Sequence, residues 1–495
     1  MPTRNRSGDV LRLDSAAGRW IVAASILASG AVFLEGTTVN VALPAIARDF
    51  GLGVEGLQWV LNSYLLTLTA LMLLGGALGD RFRRSTVFAV GCITFAATSA
   101  GCALAPGIVA LVGLRVLQGA AGALVVPNSL AMLESAFHGA DRGAAIGQWS
   151  AWSAVSTAAG PLLGGWLVDA ASWRWVFASV VALSVAAAWI VARHARGTDV
   201  TSAPSARGAV PHVDYIGALL VTLGLAGAIG ALIAGPHLGF THVGVIVAGL
   251  GGVALLGVFV VVERRIARRG ARPLLPIAVF QSRQFTGANV ITVLVYAALN
   301  ALLFLLMPQL QANLGYSALA AGAALLPTNV LMLVLSPAAG RLSARIGPRL
   351  PMAGGALVTA AGMLLFARVR PGTPYLTTVL PAAIVFGLGM AAFVAPLTTA
   401  VLGALGEREA GVASGINNAV ARLAGLVATA ALPLAAGLGG LQRLNGPAFT
   451  AGFERATWIS AGLCAVGAVV AMATIPDHHR PSPAMHARPR SGHRT

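Results

Sequence analysis

The sequence predicts an all-α polytopic membrane protein with 14 transmembrane helices: two parallel six-helix halves plus an inserted two-helix hairpin. Three observations carry that expectation. The composition is apolar and poor in charge, long apolar runs alternate with short arginine-bearing segments, and sequence landmarks recur about 264 residues apart.

Of 495 residues, 57% are hydrophobic and 10% charged, against about 25% charged in a soluble domain. Mean hydropathy is +0.80, so most of the chain belongs in lipid. All 33 basic residues are Arg, which rules out Schiff-base lysine chemistry. A net charge of +17 in a soluble protein would suggest nucleic acid. Here the arginines fall in loops, so the charge reads as topology and no nucleic-acid partner is expected. Cys92, Cys102 and Cys464 lie in apolar runs without metal-ligand spacing, and neither a metal nor another cofactor is expected. The N-terminus is polar and the first apolar run is too long for a signal-peptide core, so no cleaved leader is expected.

A helical span needs about 20 mostly apolar residues, and these runs are long and lack strand alternation. Arg4, Arg6, Arg12 and Arg19 precede the first, 20–44; the second, 57–79, leads to Arg81, Arg83 and Arg84. The third and fourth, 86–105 and 108–133, lead to Arg142; the fifth and sixth, 143–168 and 174–192, lead to a polar linker, 193–213. Spans seven and eight, 214–234 and 242–262, lead to a second linker, 263–284. It opens Glu263-Arg-Arg-Ile-Ala-Arg-Arg269 and reads as a basic interfacial segment. Spans nine and ten, 285–311 and 319–341, lead to Arg341, Arg345 and Arg349; eleven and twelve, 350–367 and 375–402, lead to Arg408. Spans 13 and 14, 410–436 and 454–475, lead to a Pro-, His- and Arg-rich tail. Counted this way, 25 arginines lie on the side of both termini and six on the other. The positive-inside rule then makes this a multi-pass protein of the cell membrane with both termini cytoplasmic.

Pro44 and Pro308, Gly76 and Gly340, and Arg81 and Arg345 are each 264 residues apart, in matching topological places. Parallel repeats of six helices are a transporter architecture. The chain divides accordingly into a cytoplasmic N-terminus (1–19), an N-terminal six-helix bundle (20–192), linkers with the inserted helix pair (193–284), a C-terminal six-helix bundle (285–475) and a disordered cytoplasmic tail (476–495).

Two of the charges inside spans stand out. Glu35 in the first and Arg115 in the fourth each cost several kcal/mol at membrane depth unless paired, hydrated or neutralised. At about 1.5 Å rise per residue, Glu35 sits roughly 22 Å from the inner surface and Arg115 roughly 10 Å from the outer one, so the two share a level. Arg115, Gln118, Gly119 and Gly122 fall on one helix face. Arg422, in span 13, has no mid-membrane acid in its own half; it faces a central cavity or bonds to carbonyls. Asn40, Gln148, Trp152, Tyr296, Asn300 and Asn417 are candidate cavity residues, and equally candidate packing residues.

Four motifs resemble the major facilitator superfamily, and within it the fourteen-helix drug:proton antiporter group. Leu34-Glu35-Gly-Thr-Thr-Val-Asn40-Val-Ala-Leu-Pro44 is similar to the span 1 signature L-D-x-T-x-V-N-x-A-L-P, with Glu for Asp. Gly76-Ala-Leu-Gly-Asp80-Arg81-Phe-Arg-Arg84 resembles the loop signature G-x-L-x-D-R-x-G-R, with Arg83 in place of a Gly. Its second copy has Ala344 where the acid would be. Leu111-Val-Gly-Leu-Arg115-Val-Leu-Gln118-Gly119 resembles the span 4 motif. Ser156-Thr-Ala-Ala-Gly160-Pro161-Leu-Leu-Gly164-Gly165 resembles the antiporter motif G-x-x-x-G-P-x-x-G-G, with Ser156 in the first Gly place.

The resemblance implies a proton-coupled antiporter that exports lipophilic small molecules of drug or antibiotic type by alternating access. Glu35 and Arg115 would couple protons, Asp80, Arg81, Arg84 and Arg345 would gate, and Gly160, Pro161, Gly164 and Gly165 would form the antiporter motif. Substrate would meet Asn40, Gln148, Trp152, Tyr296, Asn300, Asn417 and Arg422. The implied partners are a lipophilic substrate, protons and the bilayer, with the chain acting as a monomer. Competing readings are an exporter of an endogenous lipid or metabolite on the same fold, and a non-transporting membrane receptor. An enzyme is not expected: the spans hold no H-E-x-x-H, Cys/His cluster or paired carboxylates.

Overall fold

A computed structural model of the chain describes residues 11–194, 214–269, 276–405 and 409–476. The expected disordered tail and most of the first linker lie outside the described residues. Those residues form 15 α-helices: α1 (Ala16–Phe50), α2 (Val54–Arg81), α3 (Arg84–Ala103), α4 (Ile108–Ala136), α5 (Gly139–Ala170), α6 (Arg174–His194), α7 (Tyr215–Leu238), α8 (Val243–Arg268), α9 (Arg283–Pro308), α10 (Ala318–Ala323), α11 (Leu326–Ile346), α12 (Arg349–Phe366), α13 (Val379–Leu402), α14 (Ala410–Ala435) and α15 (Pro447–Thr474). Among the described residues, 12 helical segments are long and apolar enough to cross a membrane, or 13 if the bent α2 counts as one span. The segment counted from Ala318 to Ile346 joins α10 and α11. The 32-residue α5 is not among them, because Gly, Ser, Gln and other weakly apolar residues dilute it.

Proline explains two departures from the expected boundaries. The first span does not end at Pro44: α1 carries Pro44 inside it and stops at Gly51, whose φ of 64° suits a residue without a Cβ. The tenth span, expected as one helix over 319–341, is broken between α10 and α11. Pro327 stands in the first turn of α11, where its missing N–H is harmless, whereas inside a continuous helix it would remove a hydrogen bond. The basic stretch expected as an interfacial linker is in part helix, since α8 continues through Glu263 to Arg268.

Helices α1–α6 pack on one another, most closely α2 on α4 and α1 on α5; α9 and α11–α15 form a second packed group, whose short α10 is seated on α5. Between them, α7 and α8 pair with each other, and α7 lies against α2 and α14. Arginines crowd one end of the molecule, in the turns around Arg83, Arg142 and Arg349; we call it the basic end and the opposite one the far end. Described hydrogen bonds between the two groups lie toward the far end. Val54 N–H donates to Leu441 O, Gln58 Nε2 to Thr429 O and Ala430 O, Thr429 Oγ1 to Asn62 Oδ1 and Gln311 Nε2 to Val41 O. Toward the basic end, Gln148 and Trp152 on α5 and Asn418 on α14 are exposed. The described hydrogen bonds thus join the groups at the far end, and toward the basic end both groups keep exposed side chains.

Candidate functional site

The antiporter-type motif on α5 is a packing device with two faces. Gly160 lies against Thr37 and the Leu34 carbonyl, and Gly164 against the backbone of Thr38, so both seat α5 on the turn of α1 that carries Glu35. A Cβ at Gly164 would come within 2.9 Å of Thr38 O. Ser156, in the first Gly place, faces Gly30, so the small residue is supplied by α1 instead. On the other side Gly165 meets Ala318 and Leu319, and the Pro161 carbonyl meets Gly322, which joins α5 to α10. Asp169, in the last turn of α5, accepts from Ala318 N–H at 2.9 Å and Leu319 N–H at 2.8 Å, capping α10. Partial burial pushes the Asp169 carboxyl up. The Leu319 and Ala318 N–H groups, the Ser317 hydroxyl and Arg48 outweigh this and hold it below the usual carboxylate range.

Glu35 and Arg115 meet. Arg115 Nη1 donates to Glu35 Oε1, and both side chains are fully buried. Arg115 also donates from Nε to Val60 O at 3.1 Å and from Nη1 to Gln118 Oε1 at 2.8 Å. Gln118 Nε2 passes the chain on to Ser99 Oγ at 2.8 Å. The guanidinium carbon lies 4.1 Å from the Tyr64 ring centroid and 5.6 Å from that of Phe177. Tyr64 in turn donates to Val32 O. Helices α1, α2 and α4 therefore surround one ion pair, with Phe177 of α6 alongside and α3 reached only through Gln118. Among the described residues Glu35 Oε2 and Arg115 Nη2 find no hydrogen-bond partner, so the pair is only partly satisfied there. A half-satisfied buried pair is held by mutual attraction more than by surplus stability.

The residues expected to gate lie around the basic end. Arg84 donates to Asp80 Oδ1 at 2.6 Å and to Ala131 O at 3.0 Å, so these contacts stay within the first helix group. Arg81 reaches the Tyr215 hydroxyl at 3.3 Å on α7. Arg83 takes the place of a glycine without strain, because its φ is −71°. Arg345 is exposed in the last turn of α11.

The expected cavity residues separate into two sorts. Asn300 donates to Tyr296 O within α9 and abuts Gly425 on α14. Asn417 donates to Asn289 Oδ1 at 3.2 Å and Thr292 Oγ1 at 2.7 Å. Both hold α14 to α9. Asn40 is half-buried and donates to Gly36 O in its own helix, and Tyr296 is half-buried. Gln148 and Trp152 are exposed. Arg422 is half-buried, with its guanidinium carbon 6.0 Å from the Phe33 ring centroid on α1. It bonds to no carbonyl among the described residues. Residues the sequence did not single out complete the region. Trp149 donates to Ser29 Oγ and packs edge-on against Phe33; Tyr64, Asn62 and Gln58 come from α2. Their only signal in the sequence is polarity inside an apolar span. Among the described residues no cluster of His, Cys, Asp or Glu is suited to a metal.

The Major Facilitator Superfamily model matches residues 25–222 and 213–429. The chain is 35% identical to the puromycin resistance protein of Streptomyces alboniger, over 83% of this chain and 80% of that one. It is 32% identical to the tetracenomycin C resistance and export protein of Streptomyces glaucescens, over 81% and 72%. It is also 32% identical to the probable actinorhodin transporter of Streptomyces coelicolor, over 84% and 72%. In fold it is similar to a bacterial homologue of the human lysosomal transporter Spinster in an inward-facing, unoccupied conformation. The TM-score is 0.67 at 16% identity, over 93% of this chain and 97% of that one. The protein is a transporter rather than an enzyme, and it belongs to the Major Facilitator Superfamily, in its drug-efflux group.

Proposed function

We propose that this chain is a proton-coupled antiporter that exports lipophilic small molecules across the cell membrane by alternating access. In this reading α10 and α11 form one span, α5 another, and the total is 14. Helices α1–α6 and α9–α15 are the two moving halves, α7 and α8 are the inserted pair, the basic end faces the cytoplasm, and one copy suffices. The observation that carries the reading is the buried Glu35–Arg115 pair, set where α5 seats α1 through Gly160 and Gly164. Glu35 is a group that can take and release a proton. When it is protonated the attraction to Arg115 falls, and the packing of α1 against α2 and α4 changes with it. Because α5 links α1 on one face to α10 on the other, a shift at Glu35 reaches the far-end contact between the halves.

The relatives' names favour a second, overlapping cargo reading. One is a resistance and export protein for tetracenomycin C and another a probable actinorhodin transporter, so the cargo would be a metabolite made by the cell itself. The test is pH-gradient-driven uptake of a fluorescent lipophilic dye into inside-out vesicles. Wild type accumulates dye and Glu35→Gln falls to background. Undiminished uptake by Glu35→Gln at the wild-type proton stoichiometry would sink the coupling role.

A further inference from the structure

We propose that Arg422 is the anion-binding group of the cargo cleft, and that the preferred cargo is an apolar aromatic molecule bearing one negative charge, such as a carboxylate. This rests on reading the space between the two helix groups, toward the basic end, as the cargo cleft and transport site. A guanidinium at membrane depth is normally paired or hydrogen-bonded, and Arg115 is: it has Glu35, Gln118 and the Val60 carbonyl. Arg422 has no ion pair or hydrogen bond among the described residues. Its described interactions are with the Phe33 ring and, electrostatically, with Tyr64, both of the opposite helix group. Thr429, two turns further along α14, closes on Asn62 and Gln58, so Arg422 lies roughly 10 Å from that seal, on the open side. The same helix continues toward the basic end through exposed Gly415, Asn418 and Ala419, so solute can approach along it.

The chemistry of the surroundings selects the ligand. A planar guanidinium offers paired N–H donors that match a carboxylate in bidentate fashion. Phe33 and Trp149, with centroids 6.4 Å apart, supply an aromatic wall beside it, and an aromatic body packs on such rings. The acid of this region, Glu35, is already engaged by Arg115 and fully buried. Among the described residues a cationic cargo would therefore meet a like charge and no free carboxylate, whereas an anion supplies the partner that Arg422 lacks there.

The test is equilibrium binding to the purified full chain in zwitterionic lipid nanodiscs, read by fluorescence anisotropy. Three matched probes are used: 9-anthracenecarboxylate, its neutral amide and 9-anthracenemethylammonium. The carboxylate is expected to bind about tenfold more tightly than the amide, with the ammonium weakest, as one charge-assisted contact implies. Arg422→Gln brings the carboxylate down to the amide's affinity, and Arg422→Lys retains part of the difference. Equal affinities, a preference for the ammonium, no saturable carboxylate binding, or an equal loss of all three probes in Arg422→Gln overturns the proposal. Binding needs no proton gradient, so these outcomes are separate from those of the dye-uptake experiment.

Discussion

The two helix groups handle charge at membrane depth in opposite ways. In the first, Glu35 and Arg115 neutralise each other inside a shell formed by α1, α2 and α4, with Phe177 of α6 alongside. In the second, the position 264 residues after Glu35 is Leu299, and Arg422 is left with an aromatic ring in place of an acid. The loop landmarks differ in the same sense: Asp80 pairs with Arg84 in the first group, and Ala344 stands in the corresponding place in the second. A repeat keeps its helix packing while its charges diverge, because packing constrains many contacts and a charge only one. On the proposed reading the first group holds the proton and the second meets solute.

The largest expected effect breaks the first group's pair. Glu35→Leu leaves a buried guanidinium that cannot give up its proton, whereas Arg115→Leu leaves a carboxyl that can take one. Removing one member of a buried pair costs about 3–5 kcal/mol, and replacing both is often close to neutral. Glu35→Leu should therefore lower the apparent melting temperature of the purified protein more than Arg115→Leu does, most clearly at pH 5. The double variant should recover most of the loss. Equal damage from the two single variants at pH 5 and pH 8 would mean that Glu35 stays charged without its partner, and the proton-holding role would go with it.

The next effect separates packing from exposure along α5. Gly160→Ala drives a methyl group into Thr37 on α1 and should cost about 1–3 kcal/mol by overpacking. Gly147, toward the basic end of the same helix, has nothing within 4 Å of a new Cβ. Gly147→Ala should be neutral, or stabilising by up to about 1 kcal/mol through helix propensity. Thermal unfolding of the two variants side by side measures this, and similar shifts would deny α5 its role as the seat of α1.

Much of this was legible in the sequence because membrane helices advertise themselves by length and apolarity. Glu35 and Arg115 could be brought to one level by counting rise per residue, since straight helices of known polarity fix depth. Their other partners could not: Tyr64 and Val60 come from α2 and Phe177 from α6, and depth says nothing about which helices are neighbours. An apolar run reads as continuous across Pro327, which hides the break between α10 and α11; Pro44 reads as an end, yet it lies inside α1 because interior proline is tolerated where neighbouring helices support the backbone. In sequence Asn300 and Asn417 read equally as cavity or packing residues; in the structure they join α9 to α14. Only the packing distinguishes a polar side chain facing a cleft from one facing a helix.

A smaller effect concerns the far-end joint between the groups. Asp169→Asn keeps one acceptor and loses the charge that caps α10, which should weaken that joint by about 1 kcal/mol. In a Leu441→Cys background, alkylation of the new thiol at the closed end should speed up roughly fivefold, the ratio that 1 kcal/mol gives. The sign of the pH effect follows from the depressed Asp169 carboxyl. Its contribution is complete above the ordinary carboxylate pKa and is lost only as pH falls through the lower folded-state value. Wild-type alkylation, corrected for thiolate fraction, should be flat from pH 8 to 5 and rise only below about pH 4. A rise between pH 7 and 5 would move the proton response from Glu35 to the far-end joint.

The smallest expected effect on stability is at Asp80. Its pair with Arg84 is half-exposed and within one helix group, and such pairs contribute about 0–1 kcal/mol. Asp80→Asn should therefore shift unfolding by less than the Asp169 variant does. The described hydrogen bonds between the groups lie at the far end, so on the proposed reading whatever Asp80 does between the groups belongs to a state in which the basic end closes. Dye uptake should then fall in Asp80→Asn although its melting temperature does not, and Ala344→Asp should leave both unchanged. If Ala344→Asp restored uptake to the Asp80→Asn variant, the two loops would be interchangeable, and the asymmetry between the groups would be confined to Glu35 and Arg422.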